Sequence, residues 1–482
     1  MGKLLEGVKV LDLTQAYAGP IGVRILADMG AEVIKVESIQ RIDMPVRKIS
    51  FAENTPGDQP YNRGGYFHRL NVNKRGITLD LSNPKGIEIF KKLVKMCDIV
   101  TENYSPRVMK NFGLNYEVLK EINPKIIMVS MSGFGQTGPD CNYTAYVPVM
   151  EAAGLGAITG YRPEELGALE PILPKPTTPE WSDWINSKLD KGMPFMSGTG
   201  YGDWLLGTTG MAAVLASLHY CRKTGKGQHI DISGREAIVR HVGEVVVDYS
   251  MNQRLWERMG NRHPSMAPHG SYRCKGDDKW VAIAVGTEEE WRGFCKAIGD
   301  PAWTKEERFS IASNRLNNQD DLDKLVEQWT SEHEHIEAME ILQKEGVAAG
   351  AVIDPKEVIY NPQLKERNFF RVVDQGPGIG KRPQPSQMAA KFSECPTFPL
   401  KASPRLGEDN EYVLGELLGM SKEELTELEE EQVIGTRALN QPDQEMVMPL
   451  EFGAQAGALK IYSDYREQMS EFFGEKIGPD ES

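Results

Sequence analysis

None of the six cysteines, Cys97, Cys141, Cys221, Cys274, Cys295 and Cys395, sits in a CxxC pair. Their scatter excludes a zinc ribbon or a disulfide framework and fits a reducing cytosol. No apolar run approaches the ~20 residues needed to span a bilayer, and the opening MGKLLEGVKVLDL lacks the layout of a signal peptide. The expectation is a cytoplasmic protein with no membrane partner. Basic residues are in deficit, 55 Lys plus Arg against 69 Asp plus Glu for a formal charge of -14, which argues against nucleic acid as a partner. Any anionic ligand must then be held by a local basic cluster. HExxH and comparable metal spacings are missing, so no metal is expected. The dinucleotide fingerprint GxGxxG is missing as well, with AYAGP standing where it would follow the first strand.

What is present is a long alternation of strand and helix signals. At 482 residues the chain has room for two or three domains and a large core. Val8 to Leu13 reads as a strand, a helix pattern runs on to Gly30, and Ala31 to Val36 reads as a second strand. Ile77 to Leu81, Ile99 to Thr101 and Ile126 to Met131 read as further strands, with a helix from Pro84 to Met96. Short connections between alternating elements are the mark of a parallel, doubly wound α/β sheet, in which ligands sit beyond the carboxyl ends of the strands. Residues 161–194, rich in Pro and carrying Trp181 and Trp184, read as a lid-like insertion. Gln228 to Ser233 reads as a strand and Arg235 to Tyr249 as a helix, followed by a turn-rich loop at Gly260 to Gly270 and a smaller α/β domain. Strands are then expected at Phe369 to Val373 and Ala389 to Phe392, and helices at Glu411 to Leu418 and Lys422 to Glu431.

The chemistry-bearing stretch is SGTGYGDWLLGTTGMAAVLASLHYCRKTGKG, Ser197 to Gly227. Gly198, Gly200 and Gly202 crowd one carboxylate, Asp203, at the start of a helical pattern. Two readings stand side by side. Asp203 is either an N-cap accepting from the first free N–H groups, or a nucleophile kept ionised by the helix start and left unobstructed by the glycines. Among the histidines, His263 and His269 on the turn-rich loop are the pair placed near a site, while His219, His229, His333 and His335 read as packing or surface residues. Lys74, Arg75, Arg47 and Arg107 near strand ends form the kind of cluster a phosphate-bearing ligand needs.

With these pieces in hand, the chain resembles the family III CoA-transferases, which include formyl-CoA:oxalate and crotonobetainyl-CoA transferases together with α-methylacyl-CoA racemases. The resemblance rests on LEGVKVLDLTQAYAGP from Leu5, GAEVIKVE from Gly30, NKRGITLDL from Asn73, TENYSPRVMKNFGL from Thr101, NPKIIMVSMSGFGQTGP from Asn123, GDWLLGTTGMAAVLASLHYCRKTGKGQHIDIS and GNRHPSMAPHGSYRCKGDDKWVAIAV. It runs collinearly from about Leu5 to Ile434. It implies an α/β fold, with a Rossmann-like large domain built on a parallel sheet, a smaller α/β domain, and two chains interlocked as a dimer. Mapped onto this chain, the large CoA-binding domain is 1–235 with the insertion 161–194. A linker helix at 236–260, a small domain at 261–350, a return segment at 351–434 that completes the large domain, and an extension at 435–482 follow.

The same resemblance implies that Asp203 attacks a thioester to give a mixed aspartyl anhydride and, by exchange, an aspartyl-CoA thioester. Coenzyme A is then the acyl carrier, and the partners are an acyl-CoA, a free carboxylic acid and a second copy of the chain, or a different subunit in a heteromer. Tyr17, Ala18, Leu79, Asn103, Tyr104 and Tyr146 fall where these transferases contact coenzyme A, and Trp204, His263 and His269 are candidate substrate contacts. This chain departs from the oxalate enzyme at Ser38 and Asn111, which stand where that enzyme has basic residues, with Arg41 or Arg47 and Arg107 or Lys110 as the cations nearby. HPSMAPHG replaces its glycine-rich loop, which counts against oxalate as the acceptor, and Trp181 and Trp184 in the insertion turn the expectation to a larger, less polar acid such as an aromatic or substituted dicarboxylic acid. A racemase is the rival within the same fold, yet AYVP with Tyr146 stands where racemases carry GHD, so the base for α-proton exchange is missing. A non-catalytic subunit of a two-chain transferase is the third reading.

Overall fold

In a computed structural model of the chain, the residues described are 3–48, 50–154, 156, 158–160, 200–395, 400–439 and 460–479. The insertion 161–194, with Trp181 and Trp184, lies outside them. Two compact units divide the chain. One holds the described residues of 1–156, 196–255 and 367–482, the other those of 157–195 and 256–366.

The larger unit is built on a six-stranded sheet. β1 (Lys9–Asp12), β2 (Glu32–Glu37), β3 (Arg75–Thr78), β4 (Ile99–Glu102), β5 (Ile127–Ser132) and β6 (His229–Ser233) lie in the order β3-β2-β1-β4-β5-β6. Every pairing is parallel, with Leu11 opposite both Ile34 and Val100, and Val100 opposite Met128. Strands such as EVIKVE and IMVSMS are buried almost end to end, as expected when helices cover both faces of a parallel sheet. On one face Val10, Val33, Ile127 and Val129 pack with Val23, Leu26, Leu206, Met211 and Val214 from two helices, Ala18–Asp28 and Tyr201–Thr224. On the other, Leu11, Ile34 and Val100 pack with Ile89, Phe90 and Leu93 of the Pro84–Val94 helix.

The long helix spans 24 residues, about 36 Å at ~1.5 Å per residue. It crosses the Ala18–Asp28 helix where both are glycine: a Cβ on Gly207 would lie 2.3 Å from the Ala18 carbonyl oxygen, and one on Gly22 2.6 Å from that of Gly207. The two backbones therefore touch.

The carboxyl-terminal part of the chain closes the same unit. The Asp409 carboxylate accepts from Arg75 and from the Gly76 amide, and Asn410 Oδ1 accepts from the Thr78 amide. Val413, Leu414, Val433 and Ile434 join the core beneath β2 and β3. β10 (Phe370–Asp374) pairs antiparallel with β11 (Lys381–Pro385). The strand expected at Ala389 to Phe392 does not form, and KRPQP takes its place. Its prolines are accommodated because both strands of a two-stranded ribbon are edges with an unpaired side. The helix Tyr465–Phe473, within the expected extension, is tied back to the larger unit, as Tyr465 Oη donates to Glu53 and Gly478 bridges to Lys381.

The expected Arg235 to Tyr249 helix is interrupted, running as Gly234–Val239, a tighter turn at Arg240–Val242, and Gly243–Asn252. In the smaller unit β7 (His269–Arg273), β8 (Trp280–Ala284) and β9 (Ala348–Val352) form an antiparallel sheet in that order. It packs on Trp291, Phe294, Phe309, Leu322 and Leu342. No helix among the described residues is long and apolar enough to cross a membrane.

Candidate active site

The carboxyl ends of β1 and β2 rest on buried charge. Lys74 Nζ donates to Asp12 Oδ2 at 2.8 Å, Lys35 Nζ donates to the Thr14 carbonyl at 2.7 Å, and Arg47 clamps Glu37 with two arms, Nε to Oε1 at 2.7 Å. Burial works to raise the Asp12 carboxyl, but the Lys74 and Lys35 charges outweigh it and hold it below its ordinary value. This bed fixes the loop that follows β1. Asp43 accepts from the Ala16 amide with both oxygens at 3.0 Å, and Asn103 exchanges two hydrogen bonds with the Gln15 backbone, each 2.7 Å. Ala16 is thereby held at a φ of 57°, which a non-glycine residue adopts at a cost. The turn delivers Tyr17 to the start of the Ala18–Asp28 helix.

Tyr17 meets Tyr66 edge to face at 5.6 Å. Tyr66 and Arg69 come from the short helix Gly65–Leu70, whose Phe67 and Leu70 pack with Ile21 and Val46 against Tyr17 and Trp204. The Arg69 guanidinium lies over the Trp204 ring, 4.7 Å from its centroid. Trp204 follows Asp203 in the first turn of the Tyr201–Thr224 helix, so the two aromatic residues and the carboxylate share one corner of the larger unit. The phenol of Tyr17 is pushed up to about 12 by burial, by Tyr66 and by the charge of Asp203, with Arg69 pulling the other way.

Asp203 is not the N-cap. Gly200 holds that place at a φ of 66°, and Asp203 sits three residues on, its own amide donating to the Gly200 carbonyl at 3.0 Å. The capping role falls to Glu151 of the Val147–Gly154 helix, whose Oε1 accepts from the Gly202 amide at 3.1 Å. Gly202 is small for a packing reason as well: a Cβ there would come within 2.7 Å of Ile238. Asp203 accepts no hydrogen bond and makes no ion pair among the described residues. Its carboxyl was expected to stay readily ionised beside the helix start. Instead burial, and then the nearby Glu151 charge, push it up to about 7. The result is a half-buried carboxylate whose oxygens are unengaged among the described residues.

The other sequence-selected residues fall in three settings. Asn103 and Ala18 line the same corner, Asn103 by pinning the Gln15 turn and Ala18 at the glycine crossing. Arg47, expected to supply charge to an anionic ligand, is 0% exposed. Its guanidinium is spent on Glu37 and the Tyr61 carbonyl and stacked 3.5 Å from the Phe67 centroid. Leu79 belongs to the hydrophobic core beside Leu81 and Ile77. Tyr104 is partly buried, with its amide donating to Glu102 at 2.7 Å. Arg107 and Tyr146 face solvent, Arg107 at the start of a short helix and Tyr146, 68% exposed, just before the helix that carries Glu151. His263 and His269 belong to the smaller unit. Their rings are brought to 5.2 Å, His263 Nδ1 accepting from the Ser265 amide and His269 Nδ1 meeting the Asn261 carbonyl at 2.6 Å.

Three residues at this corner were not found from sequence: Glu151, Tyr66 and Arg69. Glu151 carries the one detectable signal, as the single acid in the apolar run VPVMEAAG. Among the described residues no group of three or more His, Cys, Asp or Glu is placed to hold a metal ion.

Comparison with known proteins agrees with this architecture. The chain is 31% identical over 435 residues to a probable CoA-transferase of Mycobacterium tuberculosis, covering 90% of this chain and 50% of that protein, so it spans about half that relative's length. It is 30% identical over 431 residues to a succinyl-CoA–D-citramalate CoA-transferase of Chloroflexus aurantiacus, covering 89% of this chain and 98% of the relative. Among solved structures, a CAIB/BAIF family protein from Brucella suis superposes with a TM-score of 0.71 at 29% identity, covering 86% of this chain and 100% of the other. The sequence pattern of CoA-transferase family III matches residues 5–410, and the chain belongs to that family.

Proposed function

We propose that this protein moves coenzyme A from an acyl-CoA to a free carboxylic acid, with Asp203 as the covalent nucleophile. The observation that carries the reading is the state of Asp203: a half-buried carboxylate at a helix start, engaged by no hydrogen bond or ion pair among the described residues and pushed up to about 7. A carboxylate used only for capping or pairing would spend its oxygens. Family membership and the relative named for succinyl-CoA support the substrate class.

The chemistry balances without a net proton. An Asp203 oxygen attacks the thioester carbonyl and the C–S bond breaks, giving the acyl-aspartyl anhydride and coenzyme A thiolate. The thiolate then attacks the aspartyl carbonyl, releasing the donor acid and leaving an aspartyl-CoA thioester. The acceptor carboxylate attacks that thioester, and the returning thiolate takes the new acyl group and frees Asp203. Every intermediate is an activated acid that water would destroy, so partial burial of Asp203 serves the reaction. Desolvation also leaves the ionised carboxylate a better nucleophile than one bathed in water. Tyr17, Asn103 and the turn that Asn103 and Asp43 fix are the groups proposed to receive the pantetheine end, with exposed Arg107 toward the phosphates.

A second copy of the chain is part of this reading. Val246, Val247, Tyr249 and Met251 of the Gly243–Asn252 helix are each more than half exposed, at 53%, 52%, 53% and 75%. Four exposed apolar side chains gathered on one helix support burial against a partner, and size-exclusion chromatography with light scattering reads the mass.

The test of the mechanism is chemical. Incubation with succinyl-CoA and hydroxylamine should leave a hydroxamate at Asp203 in the peptide mass map. Asp203→Ala should lose transfer while retaining coenzyme A binding. Normal turnover by the alanine variant would end the proposal, and solvent deuterium appearing at the acyl α-carbon would favour racemase chemistry instead.

A further inference from the structure

Resting on the transferase reading, we propose that Arg69 is a specificity residue that grips a second carboxylate, so that the acid accepted at Asp203 is a dicarboxylic acid. Arg69 forms no ion pair and its guanidinium no hydrogen bond among the described residues, although its neighbourhood is largely apolar: Trp204, Tyr17, Tyr66 and the Phe67 and Leu70 cluster. Withdrawing a guanidinium from water without an anion is unfavourable. A ligand carboxylate would restore the balance.

The geometry selects where that carboxylate lies. Contact with the Trp204 ring engages the guanidinium through its carbon, 4.7 Å from the centroid, and not through its N–H groups, which suit two-pronged recognition of a carboxylate. The Arg69 backbone is fixed independently, since its carbonyl accepts from buried Arg24, which also donates to the Pro385 carbonyl at 2.7 Å. Arg69 does not neutralise the nucleophile, because the charge acting on Asp203 is that of Glu151. Tyr17, however, senses both Arg69 and Asp203. The cation and the nucleophile thus both lie near one phenol without pairing with each other among the described residues, which suits a substrate with two acid groups, one reacting and one held.

The phosphates of coenzyme A are the competing anion. They are separated from the thioester by the whole pantetheine arm, whereas Arg69 lies on the residue next to the nucleophile.

The experiment compares wild type, Arg69→Gln and Arg69→Lys with glutarate and its monomethyl ester as acceptors. Succinyl-CoA is the donor, coenzyme A binding is measured by calorimetry, and hydroxylamine trapping at Asp203 is run in parallel. Wild type should prefer the diacid over the monoester. Arg69→Gln should raise KM for glutarate roughly 10- to 100-fold, as loss of a charge-assisted pair predicts, and should erase the preference with coenzyme A affinity unchanged. Arg69→Lys should restore part of it, which a merely misfolded variant would not. A glutamine variant that keeps the diacid preference, or one that loses coenzyme A affinity instead, overturns the assignment. Failure of the transferase reading looks different: wild type itself then gives neither transfer nor a hydroxamate.

Discussion

Glu151 accepts the Gly202 amide at 3.1 Å and thereby takes the place at the helix start that Asp203 would otherwise fill. The two carboxylates divide the labour: one satisfies the free N–H, the other keeps its oxygens unengaged among the described residues and feels the first as a like charge. A like charge beside a buried carboxyl disfavours its ionised form, so the neighbour tunes the acid that reacts.

That coupling has a measurable sign. Glu151→Gln keeps an oxygen for the Gly202 amide but removes the negative charge, so the Asp203 carboxyl should ionise more readily. The acid limb of the kcat profile, expected near pH 7 in the wild type, should move to lower pH in Glu151→Gln. At pH 6 the variant should therefore retain a larger fraction of its own maximal rate. A limb that stays in place would mean burial alone sets the Asp203 titration.

Stability should respond to the same group. The Asp203 carboxyl is raised from its ordinary 3.8 to about 7 in the folded chain, so its favourable contribution is complete below pH 3.8 and is lost as pH rises to 7. Asp203→Asn carries no charge in either state. It should therefore match the wild type near pH 4 and exceed it increasingly up to pH 7, with a plateau above. Each pH unit in that window is worth about 1.4 kcal/mol, which bounds the gain at about 4 kcal/mol. Denaturant midpoints at pH 5 and pH 8 measure it. An equal difference at both would contradict the sign.

Much of this arrangement is local in sequence and therefore legible there. Apolar runs such as VKVLDL and EVIKVE announce buried parallel strands, and three glycines ahead of Asp203 announce a carboxylate at a helix start. What is not legible is contact across long separations. Glu151 reaches Gly202 over 51 residues, and Arg69 meets Trp204 with no pattern linking them. Arg47 illustrates the limit most plainly, because a cation after a strand looks the same in sequence whether it faces solvent or, as here, closes on Glu37 in the interior. β9, AAGAV, carries too little β-branched or aromatic character to stand out, and β11, KRPQP, forms despite two prolines because its partner is a single strand.

The buried charge beneath the site should be intolerant of partial removal. Lys74 and Asp12 are both 0% exposed and 2.8 Å apart. Lys74→Met leaves Asp12 in the interior with Lys35 as the remaining cation, and breaking a buried pair in this way costs about 3–5 kcal/mol. The loss should be partly recovered in the double variant Lys74→Met with Asp12→Asn, which removes the stranded charge. Urea midpoints of the single and double variants form the check, and additive losses would argue that the pair is not coupled.

The glycine crossing gives the sharpest packing test. A methyl group on Gly207 would lie 2.3 Å from the Ala18 carbonyl oxygen and 3.2 Å from the Gly22 amide, both backbone atoms with no rotamer to move. The two helices must separate, and the Ala18–Asp28 helix carries Tyr17 at its start. Gly207→Ala should therefore cost about 1–3 kcal/mol, the usual range for overpacking a core, and should also reduce transfer by shifting Tyr17 away from Asp203. Gly210→Ala is the control on the same helix. There a methyl group would meet the Met131 sulfur at 3.0 Å, a flexible side chain that can give way, so melting temperature and activity should change much less. Comparable losses in both variants would mean that the close approach of the two backbones is not what sets the position of Tyr17.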